Sequence, residues 1–82
     1  MIKIKSKTTL LRILKNNRDQ SVILHYQCRI CDNQQKSDEE DVKDILDNLE
    51  TCECIEVGYQ CASCGMDILA IQPTDIFGVE IL

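Results

Sequence analysis

Residues 26–32 read YQCRICD and residues 59–65 read YQCASCG. The two hexads YQCRIC and YQCASC differ only between their cysteines. A chain of 82 residues therefore spells the same half-site twice, 33 positions apart. Cys-x-x-Cys places two sulfurs on one tight turn, which is half of what a tetrahedral metal needs. Cys28/Cys31 and Cys61/Cys64, with 29 residues between the pairs, supply the four thiolates of one closed site. Such a set predicts one structural Zn²⁺, although spacing does not separate Zn–S4 from Fe–S4. Four protein ligands leave no position for an activated water, so the chain is expected to be no enzyme.

Working outward, each pair is entered by a strand-like segment. Val22, Leu24 and Tyr26 alternate with Ile23, His25 and Gln27 before the first pair. Gln34–Lys36 reads as a return strand or a loop. Residues 52–60 read as a second strand, with Ile55, Val57 and Tyr59 on one face and Cys52 and Cys54 on the other. Ile68 to Ile71 reads as a short buried strand leaving the second pair. The tail, with Phe77, Val79 and Ile81 in alternation, reads as an added edge strand.

Two helices complete the outline. Leu10, Ile13 and Leu14 share a face over about residues 8–17, after a short strand from Ile2 and Ile4. Ser37 and Glu40 spell a capping box, which starts a helix over about residues 38–50. Val42, Ile45, Leu46 and Leu49 form its apolar stripe. The expected fold class is α+β: a small ribbon of antiparallel strands with two short helices, in one domain over residues 1–82.

The paired knuckles, each a strand running into Tyr-x-Cys-x-x-Cys, resemble the zinc-ribbon, or rubredoxin-like, superfamily. Gly65 after the second pair fits that pattern. Asp32 departs from it, standing where a glycine is usual. The resemblance covers about half the chain. It implies a non-catalytic module of transcription or other nucleic-acid machinery.

Charge is divided. Residues 1–18 carry Lys3, Lys5, Lys7, Arg12, Lys15 and Arg18 and no acid, while the rest carry all 14 acids, giving +6 against −11 and a formal net of −5. A zinc tetrathiolate takes the total to about −7. An acidic body disfavours general binding to phosphate backbones and suits a basic protein partner, met by exposed acids such as Glu39, Asp44 and Asp47. The basic arm of residues 1–18 keeps a nucleic-acid partner as the alternative. Its bland counterpart is an arm that packs on the acidic helix and screens it. Thiol redox or electron transfer is a third reading.

Cys52, Cys54 and His25 remain. The cysteines read first as small buried apolar residues, and otherwise as thiols, as ligands in place of Cys61/Cys64 or, with His25, as a second metal site. A lone strand histidine is more often simply hydrogen-bonded. No apolar run is long enough to cross a membrane and no secretory leader is spelled, so a reducing, cytoplasmic setting is expected. Richness in Ile, Lys, Asp and Asn matches an AT-rich genome, as of a small phage or bacterial regulator. The sequence does not fix the oligomeric state.

Overall fold

The computed structural model describes residues 1–55 and 58–82, and the side chain of Tyr59 lies outside the description. The strand β1 (Ile2–Lys3) leads to helix α1 (Lys7–Lys15), then to β2 (Ser21–Gln27), β3 (Gln34–Lys36) and β4 (Glu40–Asp41). Helix α2 (Val42–Cys52), β5 (Tyr59–Gln60) and β6 (Asp67–Ile68) follow. A 3₁₀ turn at Pro73–Asp75 leads into β7 (Ile76–Ile81). The fold is α+β, as the patterning predicts.

The alternation in β2 organises the molecule. Val22 and Leu24 are fully buried and Tyr26 nearly so, while the intervening side chains are half-buried. β2 pairs with β7 along one side, and with β4 and then β3 along the other, all antiparallel. β1 adds to the far side of β7. The tail is therefore a central strand. The sequence reading of it as an edge strand fails because strand order is set by the whole core: Val79, wholly buried, sits opposite Leu24.

Both helices cover one face of this sheet. Leu10 and Leu14 of α1 join Val42, Ile45, Leu46 and Leu49 of α2, the stripe expected from the i, i+3, i+4 rule. Val22, Leu24, Tyr26, Ile76 and Val79 meet them from the sheet. Each such side chain contributes roughly 1.5–3 kcal/mol on burial. Ser6 caps α1 by accepting the Thr9 N–H at 3.2 Å.

The expected capping box at Ser37 does not form. Its Oγ accepts the N–H of Leu24 at 2.9 Å, and its own N–H donates to the Leu24 carbonyl at 2.8 Å. Ser37 thus clasps β2, and residues 40–41 extend the sheet as β4 before α2 begins at Val42. A long-range partner has won over a local one, since a strand N–H inside the fold has no water to bond. Ser37→Ala is expected to cost about 1–2 kcal/mol by urea unfolding, because it strands that half-buried donor.

The strand expected over residues 52–60 is also corrected. Cys52 closes α2, and Glu53 caps it in the left-handed region at φ 57°. Ile55 makes a lone bridge with Ile71, and β5 holds only Tyr59–Gln60. The expected facing of Val57 and of the Tyr59 side chain lies outside the description. The run at residues 68–71 is not one buried strand either: Ile68 and Ile71 are buried, but Leu69 is 84% exposed. A Glu side chain in the left-handed region is strained, so Glu53→Gly is expected to raise stability by about 1 kcal/mol in thermal melts. Among the described residues no helix is long and apolar enough to cross a membrane.

Candidate metal centre

The first knuckle is rooted in the five-stranded sheet and the second in the two-stranded β5–β6 ribbon. Their backbones close by the same two hydrogen bonds. Cys28 N–H donates to Asn33 O at 2.9 Å, and Asp32 N–H to Cys28 O at 2.8 Å. Cys61 N–H donates to Met66 O at 3.0 Å, and Gly65 N–H to Cys61 O at 2.8 Å. The fifth position of each turn must be left-handed: Gly65 has φ 74° and Asp32 φ 61°. The departure from glycine at Asp32 is thus accommodated, since short polar side chains tolerate this region best after glycine.

The two turns face each other. The sulfurs of Cys28 and Cys64 are 3.9 Å apart and those of Cys31 and Cys61 3.5 Å apart, and all four lie within 4.8 Å of one another. Bonds of about 2.3 Å at tetrahedral angles hold sulfurs about 3.8 Å apart. A disulfide needs about 2.05 Å, and none of the four is in one. The set therefore fits a tetrathiolate metal. Cys28 and Cys61 are buried, while Cys31 and Cys64 reach the surface.

The surroundings are built for negative sulfur. Gln35 lies on the Tyr26 side of its strand and donates Nε2–H to Cys61 Sγ at 3.3 Å. Sequence reasoning passed over it, though its place two residues beyond Asn33 in the return strand was readable. The Cys61 thiol is pulled down to about 6, chiefly by the backbone N–H of Cys64, with that of Ser63 adding and burial opposing. Cys64 moves the other way, to about 11: the Met66 N–H favours its thiolate, but burial and the sulfurs of Cys61, Cys31 and Cys28 outweigh it. Burial pushes the Tyr26 phenol up, with Cys61, Asp38 and Cys28 adding.

These shifts set the pH dependence of metal uptake. Above about 6 Cys61 is already a thiolate; below it, that thiol too must lose a proton to bind. Apparent zinc affinity is expected to fall with falling pH, and its slope to gain one further proton per metal below about pH 6. Chelator-competition titrations at a series of pH values measure that slope.

Arg29 is engaged within the chain. Its guanidinium bonds the Ala70 carbonyl at 2.8 Å and the Asp75 carboxylate at 3.0 Å, tying the first knuckle to the chain that leaves the ribbon. His25 stands apart from the sulfurs, with Nε2 2.8 Å from Glu80 Oε1. Cys52 is exposed at the end of α2 and Cys54 half-buried beyond it. Among the described residues the four knuckle cysteines are the one group of three or more metal-binding side chains that converges, and His25, Cys52 and Cys54 are not part of it.

Lys3, Lys5, Lys7, Arg12, Lys15 and Arg18 are all exposed, as are Glu39, Asp44 and Asp47. None of those six cations is in an ion pair with an acid among the described residues, where the pairs are His25–Glu80, Arg29–Asp75 and Lys43–Asp19. The arm does pack on the acidic helix, α1 against α2, through apolar side chains rather than through ion pairs among the described residues. Comparison with protein-family models, with curated proteins and with solved structures gives no match for this chain.

Proposed function

We propose that this chain is a non-catalytic zinc-binding adaptor: the metal holds it folded, and its work is to bind another macromolecule in transcription or other nucleic-acid machinery. The convergence of four sulfurs within 4.8 Å carries this reading. An all-thiolate set saturates a tetrahedral ion and keeps substrate from it, as in structural rather than catalytic zinc sites. Zinc is the metal proposed first, with iron the alternative that the same four thiolates would accept, and a reducing, cytoplasmic setting suits four free thiols.

Elemental analysis with a native mass measurement tests it. One zinc per chain in a colourless preparation is expected. A coloured, redox-active iron centre would overturn the adaptor reading in favour of electron transfer.

A protein is the first partner proposed. The outward acids of α2 and its approach, among them Glu39, Asp44 and Asp47, offer a negative surface to a basic protein. Nucleic acid is the second reading, favoured by the six exposed cations of residues 1–18, which are in no ion pair with an acid among the described residues. Pull-down with the zinc-loaded chain, set beside mobility shifts on nucleic acid, separates the two.

A further inference from the structure

The helices cover one face of the five-stranded sheet, and the opposite face takes no part in the core or the metal centre. Register places Lys3, Gly78, His25 and Lys36 in a single row across β1, β7, β2 and β3. A bulge in the β2–β7 pairing at His25/Tyr26 leaves Phe77 as the extra residue of its strand. Its ring meets the His25 ring edge-on, with centroids 6.2 Å apart and planes at 60°.

Gly78 leaves the centre of the row without a side chain, and Met1 lies there instead: a Cβ at Gly78 would strike the Met1 thioether. Beside it, Met1, His25, Gln34, Gln35, Lys36 and Phe77 line an open hollow of about 350 Å³. The hollow thus has an aromatic floor, the Gln34 amide on its rim and a lysine in its wall, with Lys3 at the other end of the row, while the Gln35 amide turns the other way to Cys61.

The occupant such a face fits is anionic and carries flat rings at intervals. Glu80, the acid nearest the row, is held by His25 at 2.8 Å and opposite Ile23 in register. The acids of α2 belong to the layer behind the sheet, and Asp41, opposite Ser21, lies four residues along β2 from His25, so the row itself carries Lys3 and Lys36 and no acid although the chain is acidic. A duplex hides the π faces of its bases, whereas a single strand can lay them on exposed aromatic rings. We propose that this sheet face binds single-stranded nucleic acid, with one base in the hollow against Phe77 and His25 and flanking phosphates on Lys3 and Lys36. The inference rests on the second reading of function above and moves the contact surface from the basic helix to the sheet.

Fluorescence anisotropy of the zinc-loaded full chain tests this, using a labelled single-stranded oligothymidylate and a duplex of the same length. Single strands are expected to bind more tightly than duplex, and log affinity to fall against log salt with a slope of about −1.4, the value for two phosphate contacts. Lys3→Gln with Lys36→Gln should flatten that slope. Phe77→Leu, which keeps apolar bulk, should weaken binding roughly tenfold and leave the slope unchanged. Arg12→Gln with Lys15→Gln, on α1, should change neither. Unaltered zinc content and melting midpoint confirm that each variant is folded.

Binding that the α1 pair weakens and the sheet variants do not would overturn the sheet assignment and leave the nucleic-acid reading intact. Equal affinity for duplex would overturn it too. No binding by the zinc-loaded wild type would remove both.

Discussion

Stripping a metal-loaded preparation of this chain with a chelator is expected to release the β5–β6 ribbon and leave the α/β body weakened. Each ribbon strand is two residues long, and an isolated two-stranded hairpin is marginal in water. The described bonds that fasten it are the Ile55–Ile71 bridge, the Arg29 tie, the Gln35–Cys61 contact, the reach from Gly58 to Leu69 within it, and whatever the four sulfurs hold. Ile55 and Ile71 belong to the main core, so loosening the ribbon exposes part of it. Two such side chains represent about 4 kcal/mol, or a fall in melting midpoint of roughly 15–30 °C for a chain this size. Hydrogen exchange reads the order of events. The N–H groups of Cys61, Gly65 and Ile71 should lose protection first, while those of Ile4 and Leu24 keep theirs. Equal protection with and without metal would deny the centre a structural role.

Leu24→Ala is expected to cost about 3–4 kcal/mol, a large share of the roughly 4–12 kcal/mol available to a domain of this length. Leu24 is wholly buried at the middle of β2, opposite the equally buried Val79. Ser37 holds its N–H and its carbonyl, so the backbone there has little freedom to collapse into the void. Urea unfolding should show a lower midpoint with an unchanged slope. Ile23→Ala, on the half-buried face beside it, should cost much less. A similar loss at both positions would mean that the two faces of β2 are not distinguished as described.

The sequence made legible those features that depend on neighbours in the chain. Two Cys-x-x-Cys turns carry their own geometry, down to a left-handed fifth residue in each. Helical stripes and the alternation of β2 follow from which side chains must leave water. The failures share one cause, a distant partner overriding a local preference. Ser37 has all the chemistry of a helix cap, yet the nearest unsatisfied donor belongs to Leu24, 13 residues back. Residues 52–55 look like a strand by alternation, yet Leu49 packs into the core and carries α2 on to Cys52, where Glu53 turns the chain. β7 looks like an edge because it is read last, while its place is decided by β1 and β2. Gln35 looked like filler until the facing knuckle brought Cys61 to it.

The central place of β7 also governs how the chain reaches this state. Its pairings with β2 join residues from 50 to 59 positions apart, and those with β1 join residues farther apart still. The sheet therefore closes through contacts that are remote along the chain, which require a large loss of loop entropy before they return any stabilisation. Topology is accordingly expected to weigh more on folding than helix formation: α1 and α2 can flicker early, but the sheet face they rest on is complete only once β7 has entered between β1 and β2. Insertion of that one strand is expected to limit the rate, and a metal held by the four sulfurs would fasten a ribbon whose footing exists only afterwards.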